Sequence, residues 1–141
     1  MNLNIVLEGK QFCGQCPGGD RTAAMNTLSR DIPPQVIGLS SLSILLNLSQ
    51  NSLTGSLPTG MGNLKNINAI DISENGFTKE IPETIGNCLS LDFLNLQRNL
   101  FQGIIPSSMV SLKGLRHLDL SRNNFSGHMS KDLLTYRDFH S

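Results

Sequence analysis

The sequence predicts an α/β-type repeat solenoid: a right-handed superhelix with a short parallel sheet on its concave side and 3₁₀ turns and loops on its convex side. Three observations predict it. Asn51, Asn75, Asn99 and Asn123 stand 24 residues apart. Pro58, Pro82 and Pro106 keep the same step. Ahead of each Asn, apolar and polar residues alternate, as in Leu94-Asn95-Leu96. Self-similarity at a period of 20 to 50 residues is the signature of stacked repeats.

Residues 1–25 carry no part of this pattern and are expected to form a loosely ordered leader. They contain Cys13-Gly-Gln-Cys16. That spacing suits half a zinc site or a redox pair, but no second pair follows and no paired His stands at ligand spacing. The solenoid is expected over residues 26–141, as about four complete repeats of 24–25 residues with incomplete ends. Asn26 opens a fainter copy, NTLSRDIP, 25 residues before Asn51. Four clear copies follow: LNLSQNSLTGSLP, IDISENGFTKEIP, LNLQRNLFQGIIP and LDLSRNNFSGHMS. The spacing fits L-x-x-L-x-L-x-x-N, the leucine-rich repeat.

Each part of the repeat has a physical reason. The strand period of two sends Leu46/Leu48, Ile70/Ile72, Leu94/Leu96 and Leu118/Leu120 to one face. Burying each is worth roughly 1.5–3 kcal/mol. Leu64, Ile67, Leu91, Leu112 and Leu115 complete that core. The spacing predicts Leu94, Leu96, Phe101 and Ile105 buried, with Asn95 and Gln97 exposed. The four ladder asparagines sit where the chain leaves the strand, and their side chains cap backbone groups that the turn leaves unpaired. Leu53, Phe77, Phe101 and Phe125 share one register and are expected to stack as an internal spine. Cys88 occupies the slot of Leu64 and Leu112, so it reads as a buried, unpaired thiol.

Composition narrows the function. Eleven basic residues balance eleven acidic ones in the 141-residue chain. That argues against nucleic acid or a membrane surface held by bulk charge. No apolar run approaches the roughly 18–20 residues of a membrane helix. The N-terminus, MNLNIVLEGK, lacks a positive n-region, so the chain as written is expected to carry no signal peptide and to stay cytoplasmic if expressed in that form. No G-x-S-x-G, phosphate loop or kinase signature occurs, and no cofactor or metal is expected. Asp71 and Asp119 lie two repeats apart, roughly 10 Å at one strand spacing of about 4.8 Å per repeat. That is wider than the roughly 6.5–9.5 Å of an inverting glycosidase pair. The chain is expected not to be an enzyme.

N-x-L/F-x-G-x-I/L-P at a 24-residue step resembles the plant-specific leucine-rich repeat. NSLTGSLPTGMGNLKNI and LNLQRNLFQGIIPSSMVSLKGLRHLDLSRNNFSG look like ectodomains of plant receptor-like kinases. GLSSLSILLNLSQNSLTGSLP is similar to a late repeat of the flagellin-receptor and rice-blight-resistance subfamily. The resemblance covers about Asn26 to Ser141. It implies a protein or peptide ligand, or a co-receptor, in defence or developmental signalling at the cell surface. It also implies a longer relative with a signal peptide, cysteine-paired cap, membrane helix and Ser/Thr kinase domain. Two departures stand out. Lys79 replaces the glycine kept at Gly55, Gly103 and Gly127, and Met129-Ser130 replaces Ile-Pro. The alternatives are a secreted inhibitor resembling plant polygalacturonase inhibitors, and a non-functional gene fragment.

Arrays of this kind bind through the exposed positions of their strands. The concave face is expected to carry Asp71, Asp119 and Asn95, with Phe93 and His117 adjacent. Glu74, Arg98 and Arg122 stand just before the ladder, with Arg98 and Arg122 one repeat apart. Aromatic and Arg residues are the usual anchors of an interface. Asn47-Leu48-Ser49 and Asn124-Phe125-Ser126 are sequons, which makes Asn47 and Asn124 candidate glycan acceptors. The next strand is expected at about residue 142, so the edge at Leu118 and Leu120 is expected to stay uncovered and to self-associate.

Overall fold

The computed structural model describes residues 45–127, together with the backbone of two strands at Asn4–Val6 and Asp138–His140. The expected leader pair Cys13 and Cys16 and the faint copy from Asn26 lie outside the described residues. The concave sheet is parallel and six-stranded, in the order β1 (Asn4–Val6), β2 (Leu45–Asn47), β4 (Ala69–Asp71), β6 (Phe93–Asn95), β8 (His117–Asp119) and β10 (Asp138–His140). Four of these strands keep the 24-residue step, so equivalent residues pair: Leu46 with Ile70, Leu94 and then Leu118.

After each ladder Asn the chain forms a second, two-residue strand. These are β3 (Thr54–Gly55), β5 (Gly76–Phe77), β7 (Gln102–Gly103) and β9 (Asn124–Phe125). They pair β3 with β5 and β7 with β9 on the flank of the coil. A proline then opens each 3₁₀ turn, at Thr59–Asn63, Glu83–Asn87 and Ser107–Ser111. A fixed φ and a missing N–H suit proline to the entry of a helical turn. Apolar residues of each coil pack against the next: Leu46, Ile70, Leu94 and Leu118 from the strands, Leu64, Cys88 and Leu112 from the turns, all fully buried.

The asparagine ladder welds the coils. Asn99 Nδ2 donates to Leu96 O and Gln97 O of its own coil and to Ile72 O of the preceding one. Its Oδ1 accepts the Phe77 N–H at 3.1 Å. Asn75 and Asn123 repeat the pattern with Leu48 O and Leu96 O. The aromatic spine also forms. Phe77 and Phe101 stack with centroids 5.9 Å apart, and Phe101 and Phe125 at 6.3 Å. Cys88 is buried and free, its Sγ–H directed to Met61 O at 3.1 Å, and burial pushes its thiol pKa up to about 11.

Several expectations are corrected. Asn95 is buried, at 8% exposure, while Ile105 is only partly buried and Gln97 half-exposed. Asn95 is held between Asp71 and Asp119 on the strands either side, and its Oδ1 folds down onto the Gln97 N–H at 3.1 Å. The edge at β8 is paired, because Phe139 aligns with Leu118, three residues ahead of a strict 24-residue step. At the other end, β2 pairs with Asn4–Val6, from a stretch that carries no repeat pattern.

Lys79 adopts φ 67°, the left-handed conformation that Gly55, Gly103 and Gly127 occupy at the same register. A Cβ there is strained by roughly 1–2 kcal/mol. Inter-coil bonding holds it, since Lys79 O accepts the Gln102 N–H at 2.9 Å.

Candidate functional site

The concave face is built in rows, because parallel pairing places equivalent residues side by side. The first row runs Leu45, Ala69, Phe93, His117. Phe93 and His117 are half-buried, and their rings lie 4.4 Å apart and 6° from parallel. A flat aromatic platform therefore stands on the third and fourth of the regular coils. Strand spacing of about 4.8 Å alone brings the rings into contact.

The second row runs Asn47, Asp71, Asn95, Asp119. Each side chain accepts the backbone N–H two residues on, at 2.9–3.1 Å. Asn47, Asp71 and Asp119 also accept the hydroxyl of that residue, from Ser49, Ser73 and Ser121 at 2.6 Å. These are Asx turns that shape the exit from the strand. Asp71 and Asp119 are thus engaged in local structure on separate coils.

The third row is Gln50, Glu74, Arg98 and Arg122, and all four have φ between 54° and 57°. This left-handed bend was not legible in the sequence, since none of the four is glycine. It is imposed by inter-coil bonds from Gln50 N to Ser73 O, Glu74 N to Gln97 O and Arg98 N to Ser121 O. The bend throws these side chains onto the rim. Arg98 pairs with Glu74 across coils at 3.9 Å, with both side chains well exposed. Arg122 makes no ion pair among the described residues. Exposed pairs of this kind contribute little to stability but do organise charge.

On the rim before the strands, Arg116 grips Asp92 with two bonds of 2.6 Å. That guanidinium holds the Asp92 carboxyl below its ordinary range, and the carboxylate raises Arg116 in turn. Among the described residues, no cluster of three His, Cys, Asp or Glu side chains could hold a metal ion, and no helix is long and apolar enough to cross a membrane. Of the two sequons, Asn47 lies half-buried on the concave face with its Oδ1 engaged by Ser49. Asn124 lies exposed on the flank, in β9.

Comparison with known proteins agrees with this architecture. Residues 70–125 match the family model described as leucine rich repeat, and residues 44–64 match a second one of the same description. No curated protein matches the chain. The ectodomain of the Arabidopsis receptor kinase HAESA, solved with an N-terminally extended IDA peptide hormone ligand, is 41% identical. It aligns with 79% of this chain and 19% of its own, with a TM-score of 0.72. The BIR3–SERK2 complex of Arabidopsis thaliana provides a chain 32% identical over 78% of this one and 60% of its own, with a TM-score of 0.69. A plant ice-binding protein is 27% identical over 77% of this chain and 35% of its own, at 0.71. The chain thus spans 19% of the HAESA chain and 60% of its partner in the second comparison. The fold and the matched repeats define a leucine-rich-repeat solenoid whose structural neighbours include plant receptor-kinase ectodomains. The ice-binding neighbour illustrates that function lies in the surface grafted onto such a fold.

Proposed function

We propose that this chain is a peptide- or protein-recognition module, a segment of the ectodomain of a plant receptor-like kinase that acts in defence or developmental signalling at the cell surface. Its repeat from Gly38 to Pro58 resembles the flagellin-receptor and rice-blight-resistance subfamily. The observation that carries the reading is the Phe93–His117 platform on the concave sheet, with Arg98 and Arg122 on the rim of the same coils. A stacked aromatic pair offers apolar area at little cost in side-chain entropy, and Arg supplies directional donors. The HAESA ectodomain, of the same repeat architecture, is described in complex with a peptide hormone. The ligand of this chain is read as an extended peptide, or the surface of a co-receptor, laid across the strands.

The test uses a displayed library of random linear peptides on the immobilised full chain. Peptides enriched on it are expected to lose affinity about tenfold or more on Phe93→Ala or His117→Ala, the loss of one interface anchor. Exposed positions on the opposite side, such as Lys113→Ala, should leave binding unchanged. A library that enriches nothing, or peptides indifferent to Phe93 and His117, would sink this reading.

A further inference from the structure

Among the described residues only three large apolar side chains are exposed, and two of them lie four residues apart on the flank: Leu100 at 61% and Ile104 at 59%. Phe101 is buried in the coil, while Leu100, Gln102 and Ile104 are all exposed. The neighbouring strand aligns Asn124 with Gln102 and Phe125 with Gly103. The backbones are locked there by Asn124 N to Phe101 O and Ser126 N to Gly103 O, both 2.8 Å. Asn124 thus stands opposite the midpoint of the Leu100–Ile104 pair, and Ser126 stands opposite Ile104. A Cβ on the adjacent Gly127 would lie 3.0 Å from Ile104 Cγ2, so the two strands approach closely at that point.

Asn124, Phe125 and Ser126 form a sequon. Asn124 and Ser126 are both exposed, and neither side chain is hydrogen-bonded among the described residues. The other sequon differs. Asn47 Oδ1 accepts both the N–H and the hydroxyl of a buried Ser49, and a sugar there would be rooted on the concave face. From this juxtaposition we propose that Asn124 carries an N-linked oligosaccharide whose first sugars lie over Leu100 and Ile104, covering the apolar flank and leaving the concave sheet open.

The chemistry is that of a lipid-linked oligosaccharyl pyrophosphate donor. Asn124 Nδ2 attacks the anomeric carbon and a C–N bond forms. The C–O bond to pyrophosphate breaks, its electron pair leaves with the lipid pyrophosphate, and the amide proton passes to a base of the transferase. Exposed large apolar side chains on one flank are an association hazard. A sugar anchored between them removes the hazard without adding a partner. The inference rests on the cell-surface reading only for the passage of the chain through the secretory pathway.

The test expresses the full chain behind a secretion signal in a eukaryotic cell. Glycosidase treatment in ¹⁸O water should label Asn124 in the tryptic peptide 123–131. Enzymatic removal of the sugar from the folded protein should raise binding of the apolar dye ANS by about twofold or more, the response to newly uncovered apolar surface. Ser126→Ala should do the same by preventing attachment. Adding Leu100→Ser and Ile104→Ser to it should restore the lower level. A bare Asn124 in the secreted chain overturns the proposal, and so does dye binding that ignores the sugar. A glycan on Asn124 together with no enriched peptide would sink the recognition reading and leave this one intact.

Discussion

Asn99 is bonded to two coils at once, and its single carboxamide meets four backbone groups. Replacing it with Ala leaves the Phe77 N–H unpaired in the interior, while the Ile72 carbonyl keeps the Asn75 amide. Such a group costs about 1–3 kcal/mol, so Asn99→Ala is expected to lower stability by roughly that much in urea titration. A loss below about 1 kcal/mol, the net worth of one ordinary hydrogen bond, would refute the ladder's structural role. Cys88 gives a second residue-scale expectation. Its folded pKa of about 11 lies above the ordinary 9.0. The unfolded thiol therefore ionises first, and the contribution is complete below pH 9 and lost as pH rises toward 11. Stability should fall across that window by up to about 3 kcal/mol relative to Cys88→Ala, at roughly 1.4 kcal/mol per unit. In a Cys13→Ser, Cys16→Ser background, the native chain should also resist thiol reagents and react only on unfolding. Parallel pH profiles for the parent chain and the Cys88→Ala variant would contradict this assignment.

At the scale of elements, the convex turns stack as closely as the strands do. A Cβ on Gly62 would lie 2.6 Å from Thr84 O, and one on Gly86 would lie 2.5 Å from Ser108 O. The same turns are cross-linked by Thr84 Oγ1 to Thr59 O and Ser108 Oγ to Glu83 O. The clash is with backbone, which cannot swing aside. Gly86→Ala is therefore expected to cost about 1–3 kcal/mol, the price of overpacking. Thermal melts of the two chains would check it, and an unchanged midpoint would show that the turns can spread. Val110 occupies the same register in the third turn.

At the scale of the whole molecule, β1 and β10 are the outer strands of the sheet among the described residues, each three residues long. Short edge strands still offer unpaired backbone groups to another chain. A solenoid is also stabilised mainly by contacts between neighbouring coils, so its end coils are its weakest. Light scattering is expected to give a mass that grows with concentration. Appending further repeats to the last coil should suppress this growth and sharpen the melt. A constant mass of 15.4 kDa at every concentration would rule it out.

The sequence by itself determined the solenoid, its 24-residue step, the buried Leu and Ile rows, the asparagine ladder, the Phe77–Phe101–Phe125 spine, the buried Cys88 and the contact of Phe93 with His117. All of these follow from one rule: residues at equal register in stacked coils meet. Only the tertiary structure decided the burial of Asn95 between Asp71 and Asp119, the left-handed rim at Gln50, Glu74, Arg98 and Arg122, and the Arg98–Glu74 pairing. It alone aligned Asn124 with Gln102, a step of 22 and not 24, which sets the sequon beside Leu100 and Ile104. It also drew β1 and β10 from stretches without the regular step. These features depend on distances between coils and on how hydrogen bonds slant across them. A residue count along one chain carries no information about either.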